Sequence, residues 1–457
     1  MQKMKNGKKV LSVCLSLAMA AGMLSTSAFA SWNVYGGSNN HNAVVTEAPT
    51  TPDKSGLDSY IQLHCTGSGW DGVDNVPVLQ TVNGTTYAYV LYDGYGASGA
   101  LVAKIRCAEN GGSSIVWTTD PYGTEGTSLN AKSGFQLSTP YLDDNGTPND
   151  ASDDTLYVGT ISQYDDYEGG EWLTGTGSKV MALTGLDQNK PTVTNVLTGI
   201  NGQINTPITT DGTYLYFGTW PGGSRAGTYY QVKLSDYSVK TFTPDSYGFY
   251  WAGAVSDGTN VYFGSDNGLL YWRSIADFDT TGGVLDLTDV ASDAGNVRST
   301  VMLDDGYLYF TTQGGYLWCC SYDDGLTVEW HKKLGATSTS TPTKVGDRIY
   351  VGYYSGFNAG GVQCVSADGS SVKTVVEGDG FPVQSSIVVM GDGTGTDYLY
   401  FNTNAQKGAG YCYSFDGTTG SKVWGTTGDT YALGGMAIDN GYAVFGNDYN
   451  HLYVVHD

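Results

Sequence analysis

A short aromatic phrase recurs along this chain: YLYFGT at Tyr214–Thr219, NVYFGS at Asn260–Ser265, YLYFTT at Tyr307–Thr312, RIYVGY at Arg348–Tyr353 and YLYFNT at Tyr398–Thr403. LYVGT at Leu156–Thr160 precedes them, and looser copies stand at Tyr87–Tyr92 and Tyr442–Asn447. One position of the phrase falls on Tyr89, Tyr157, Tyr216, Tyr262, Tyr309, Tyr350, Tyr400 and Val444, at intervals of 68, 59, 46, 47, 41, 50 and 44 residues. Self-similarity at roughly 40–50 residues, carried by strand-like segments, belongs to arrays of small β-units, with propellers the leading case.

Each repeat reads as four short strands. A Thr-Pro or its stand-in opens the first: Ser138-Thr139-Pro140, Asn205-Thr206-Pro207, Ser340-Thr341-Pro342 and, more loosely, Val76-Pro77. A tight turn follows, marked by Asp211-Gly212, Asp257-Gly258, Asp305-Gly306 and Asn440-Gly441, pairs that tolerate the positive φ of a hairpin. The aromatic phrase is the second strand; its mix of Tyr, Val, Phe and small residues suits a sheet covered on both faces. The third strand follows a glycine turn, as in Gly315–Trp318, and the fourth often ends on Trp, at Trp117, Trp330 and Trp424. Apart from single turns such as Ser274–Phe278, no segment has sustained helical periodicity.

These residues carry a resemblance. The pattern Thr-Pro, turn, xYVG, turn, small-x-Asp-x-x-x-Gly-x-x-x-Trp, fullest at Ser414–Trp424, resembles the PQQ-type repeat, and Trp32, Tyr35, Gly36, Gly37 and His41 resemble the opening of many chains built from it. The resemblance implies an all-β fold, the eight-bladed propeller of quinoprotein dehydrogenases and of the BamB outer-membrane assembly factor. Eight marks imply eight blades. The last has room for only three strands before Asp457, so an N-terminal segment, Ser59–His64, is expected to supply the fourth and hide two open sheet edges. A single domain over 31–457 is expected, with a closing segment at 31–66 and blades from about 75 to 457.

Residues 1–30 read as a secretory signal peptide. Lys3, Lys5, Lys8 and Lys9 precede an apolar run over Val10–Met23 and the cleavage pattern Ala28-Phe29-Ala30. Cys14 follows Val13 rather than a small residue, which argues against a lipoprotein anchor. The expected product is secreted or attached to the cell surface, without membrane insertion. The chain carries 22 Lys and Arg against 45 Asp and Glu, a formal charge of −23. Such a surface repels nucleic acid and anionic lipid.

Six cysteines follow the leader: Cys65, Cys107, Cys319, Cys320, Cys364 and Cys412. Cys320, Cys364 and Cys412 each lie five residues before a turn glycine (Gly325, Gly369, Gly417), so they read as one small, buried strand position holding free thiols. Adjacent cysteines beside the cofactor occur in several quinoproteins. Here Cys319 and Cys320 fall inside a strand, where neighbours point to opposite faces, so two packing residues are expected rather than a vicinal disulfide.

Catalytic signals are weak. No P-loop, G-x-S-x-G or HExxH occurs, and the five histidines (His41, His64, His331, His451, His456) lack metal-ligand spacing. The acidic stretch Asp143-Asp144-Asn145, Asp150, Asp153-Asp154 matches no EF-hand and reads as a solvated turn. Ser321–Thr327 resembles an Asp-box, a structural hairpin, with Trp330 two residues late. The quinoprotein ion ligands and general base cannot be matched to positions here. No catalytic residue, no metal site and no cofactor are therefore expected; PQQ and calcium belong to the alternative reading, a quinoprotein dehydrogenase or other propeller enzyme.

Geometry offers a binding site instead. Residues just before each first strand should ring one mouth of the central channel: Asn75, Ser138, Asn205, Trp251, Arg298, Ser340, Gln384 and Leu433. Asn205, Trp251, Arg298 and Gln384 are the candidate ligand contacts, with Trp251 an aromatic platform and Arg298 a bidentate donor for a glycan or carboxylate. The expectation is a non-enzymatic propeller that binds an extracellular protein or carbohydrate or serves as a scaffold.

Overall fold

A computed structural model describes residues 31–64, 72–94, 99–120, 126–131, 135–161, 164–168, 171–174, 177–323 and 325–457. The leader, Cys65 and Asp324 fall outside them.

Eight four-stranded antiparallel blades form the ring of a β-propeller. Blade 1 runs Val78–Val82, Thr85–Asp93, Ala100–Arg106 and Ser114–Thr118; blade 5 runs Met302–Asp304, Tyr307–Thr312, Tyr316–Ser321 and Thr327–Lys333. Blade 2 carries an added hairpin, Tyr164–Glu168 with Glu171–Thr174. In blade 8, Ala437–Asp439, Tyr442–Gly446 and His451–Val455 are completed by Ile61–Gln62, paired antiparallel as Ile61↔Leu452 and Gln62↔His451. The ring thus closes with an N-terminal strand as the outermost of its last blade. The Asp439 carboxylate of blade 8 accepts from Thr81 Oγ1 of blade 1 at 2.7 Å, and Asn450 Nδ2 donates to the Asp93 carbonyl at 3.0 Å.

The repeated residues hold blades to themselves and to their neighbours. Tyr216 and Tyr262, in the phrase, donate their hydroxyls to Asp211 and Asp257 of the preceding turns, both at 2.7 Å, while the other oxygen of each Asp caps turn amides. The Thr of the opening motif ties its blade to the one before it: Val76 N donates to Thr139 Oγ1 and Thr300 N to Thr341 Oγ1, both at 3.1 Å. Trp330 lies against the turn of the next blade, where a Cβ on Gly369 (φ +69°) would stand 2.6 Å from its ring. Trp117 Nε1 likewise reaches the Leu186 carbonyl of blade 2. Trp330 therefore has a partner outside its own hairpin, which removes the packing an Asp-box would give it.

Replacing Tyr262 by Phe is expected to cost about 1.5–3 kcal/mol, the worth of a hydrogen bond to a charged group. Urea unfolding at pH 7 checks this, and Tyr307→Phe, at a half-exposed position, serves as the reference.

The cysteine register needs correcting. Cys364 pairs across the sheet with Tyr350 and Cys412 with Tyr400, but Tyr309 faces Cys319, not Cys320. Blade 5 has one more residue between this position and its turn glycine than blades 6 and 7, which moved the count by one. Nor is the position always small, since Lys104, Gln231 and Trp272 occupy it in blades 1, 3 and 4. All five described cysteines are free and buried. Burial pushes the Cys319 and Cys412 thiols up to about 12 and Cys364 up to about 11, so they are unreactive at neutral pH. Cys319 and Cys320 join different core clusters, as opposite faces of one strand require.

One element has no precedent in the repeat pattern. Residues 32–45 thread the ring and hydrogen-bond to inner strands of blade after blade. The carbonyls of Trp32, Asn33, Asn40 and Ala43 accept from Leu79, Leu142, Leu303 and Val389, at 2.8–2.9 Å. Asn42 bonds both backbone groups of Lys344 at 2.9 Å, and Val44–Val45 lie parallel to blade 7. His41 is buried, with Nδ1 2.9 Å from the Tyr35 carbonyl and Nε2 2.8 Å from the Ala254 carbonyl of blade 4. Burial pushes its pKa down despite those two acceptors. This segment is a plug.

A seam beside the closing contact titrates. Burial raises the Asp439 carboxyl to about 6, against the bond from Thr81. A carboxyl raised in the folded state stabilises when protonated, so its contribution is complete below about pH 4 and is lost as pH rises through 6. Asp439→Asn is expected to raise the melting temperature at pH 7.5 and to change nothing at pH 3.5. An equal gain at both values would contradict the assignment.

Candidate functional site

Within each blade the first strand descends from one face, the second returns to it, and the fourth leads back to it. That face therefore gathers the loops before first strands and the turns between second and third strands. At its centre lies a cavity of about 50 Å³ that opens to solvent. Asn75, Trp251, Arg298, Gln384 and Leu433 of the anticipated ring line it, together with Asp74, Ser385 and, at the plug end, Tyr35. The Tyr35 hydroxyl is engaged by Thr341 Oγ1 at 3.0 Å, and burial raises its pKa.

Asn205 does not line this cavity. The inner strand of blade 3 is split into Gln203–Ile204 and Thr209–Thr210, and Asn205 sits in the interruption, fully buried, with Nδ2 on Gln203 Oε1 at 2.9 Å. Ser138 and Ser340 are also buried and lie outside the lining.

Arg298 is held rather than free. Its Nε and Nη2 both meet the Asp266 carboxylate at 2.7 Å, and its guanidinium lies 4.6 Å from the Tyr250 ring centre. Burial opposes the charge, and the Asp266 bonds outweigh that cost, holding the guanidinium above its usual value. Trp220 Nε1 donates to the same carboxylate at 3.2 Å. Tyr250 packs edge-on against both Trp220 (5.3 Å) and Trp251 (4.9 Å). Trp251 has φ +58°, a left-handed backbone that a bulky residue rarely adopts, and strain of this kind gathers at ligand-contacting positions. Asp266, Trp220 and Tyr250 were not anticipated. Their signal was available: Trp220 and Asp266 directly follow YLYFGT and NVYFGS, where the second strand delivers the chain to the mouth face.

Asn75 is the most constrained polar group. Its Nδ2 donates to the Leu91 and Gln136 carbonyls at 2.8 and 2.7 Å, which fixes the amide orientation and leaves Oδ1 without a donor. Ser385 Oγ, also in the lining, has no protein partner.

These residues do not fit a quinone with calcium. Asp74 is the lone acid of the lining, and six or more oxygens are needed around calcium. Among the described residues no three His, Cys, Asp or Glu converge as ligands. Cys319 lies on a strand of blade 5 away from this lining. The carboxylates of Asp144, Asp150 and Asp153 are used by turn groups at 2.6–3.2 Å. No helix among the described residues is long and apolar enough to cross a membrane.

No family profile matches the chain, and no curated protein matches it. Solved structures do. BamB from Moraxella catarrhalis aligns at TM-score 0.53 and 13% identity, over 88% of this chain and 97% of its own. Saccharomyces cerevisiae Sqt1 aligns at 0.57 and 11%, over 89% and 99%. The quinohemoprotein alcohol dehydrogenase from Comamonas testosteroni aligns at 0.57 and 10%, over 92% and 77%. At such identities what is shared is the fold alone, and the chain is an eight-bladed β-propeller of the architecture also seen in BamB and in that dehydrogenase.

Proposed function

We propose that the chain is an exported, non-enzymatic recognition propeller built of PQQ-type repeats, and that it holds a glycan or protein of the cell surface at the channel mouth. The observation that carries this reading is the state of Arg298. The cation best placed to polarise a substrate is consumed by Asp266, and the rest of the lining is Trp251 with aliphatic, amide and hydroxyl groups and the single acid Asp74. Such a lining binds and orients; it offers no nucleophile paired with a base. The acidic chain and the leader pattern support a life outside the cell, and the BamB likeness supports protein partners as one class of ligand.

Trp251→Ala is expected to leave the unfolding free energy within about 1 kcal/mol, as for a partly exposed site, and to abolish retention on a glycan array or on purified surface proteins. Retention unchanged in the variant would move the site elsewhere. Alcohol-dependent dye reduction after adding PQQ and calcium would overturn the non-enzymatic reading.

A further inference from the structure

Resting on that reading, we infer that the mouth takes the end of a glycan: a terminal, uncharged sugar residue whose ring stacks on Trp251 and whose hydroxyl arm enters the cavity to donate to Asn75 Oδ1.

Three observations converge on a chain end. The cavity is blind, because the plug crosses the channel and Tyr35 closes its inner end with a hydroxyl already engaged by Thr341. A polymer therefore cannot thread the ring. The interior, about 50 Å³, has room for a few water-sized groups, at roughly 10–15 Å³ each. That suits an exocyclic hydroxymethyl or hydroxyl, with the ring itself left in the open mouth beside Trp251. The third observation is the orphaned acceptor. Asn75 is only 2% exposed and its amide cannot flip without setting oxygen against two carbonyls, so Oδ1 asks for an O–H or N–H from a ligand.

The mixture of groups chooses the chemistry. Asn75 supplies an acceptor, Ser385 a hydroxyl and Gln384 an amide, while Trp251 offers the flat apolar face that the C–H side of a pyranose covers. A negative sugar is disfavoured. Arg298 already neutralises Asp266, the lining adds the Asp74 carboxylate, and the whole chain carries −23.

The experiment is calorimetric titration of the full exported chain with neutral oligosaccharides, in three forms. One has its natural non-reducing end, one has that end residue removed by an exoglycosidase, and one has it blocked by O-methylation. Binding of the first form only, quenching of Trp fluorescence, and weakening by about tenfold or more in Trp251→Ala are expected. Ser385→Ala should weaken binding several-fold with an unchanged melting temperature, which separates a lost contact from a lost fold. Equal binding of trimmed or blocked chains would overturn the end-recognition inference while leaving the mouth as a binding site. If no neutral glycan binds but a purified surface protein binds in a Trp251-dependent way, the sugar inference falls and the recognition reading stands. If no ligand that binds depends on Trp251, both fall.

Discussion

Replacing Asp397 by alanine is expected to destabilise the propeller by about 3–5 kcal/mol, the cost of removing one partner from a buried ion pair. Asp397 is fully buried. Its Oδ2 takes Arg348 Nη1 at 2.7 Å and the Tyr350 hydroxyl at 2.6 Å, and its Oδ1 takes Gly393 N at 3.0 Å. Arg348 and Tyr350 belong to the phrase of blade 6 and Asp397 directly precedes that of blade 7, so the change strands a guanidinium and a phenol in one seam. Tyr350 is already far from ionising, because burial and the neighbouring carboxylate both raise its pKa. Asp397→Asn keeps one acceptor oxygen, enough for Tyr350 and Arg348 or for Gly393 N but not for both sides, and should cost less than alanine. Chemical unfolding of both variants checks the order; a loss below 1 kcal/mol for alanine would mean that water screens the pair.

Removing residues 31–45 is expected to have a larger effect still, leaving no cooperatively folded monomer. The deletion strips partners from the amides of Leu79, Leu142, Leu303, Lys344 and Val389 on the inner strands of five blades. An unmade buried hydrogen bond costs about 1–3 kcal/mol. Even with water replacing some of them, the sum rivals the ~5–15 kcal/mol that holds a whole domain. Near-ultraviolet dichroism and gel filtration would show lost tertiary signal and aggregation. A monomer with a sharp melt would show that the plug is dispensable.

The plug was illegible in sequence for a physical reason. Residues 32–45 form a two-residue ladder and otherwise bond one carbonyl at a time to separate blades, so no strand period is written there. The blades were legible because each copies the same strands, and the closing strand followed from a strand missing in blade 8. The mouth was legible in part. Trp251, Arg298 and Gln384 come together as the position before each first strand requires, but Asn205 is withdrawn by the break in its strand. Asp266 was missed because its role depends on Arg298 of the following loop, a pairing that spans 32 positions and no single repeat. Cys319 and Cys320 show the limit of counting from a turn: one extra residue shifts the face.

Hydrogen exchange on the full chain, with and without a saturating ligand, tests recognition at the mouth most directly. The account predicts slowed exchange at amides around 74–76, 251–253 and 384–386, and no change at 305–306 and 346–347, in the turns of the opposite face. Protection confined to those opposite turns, with 251–253 unchanged, would contradict it.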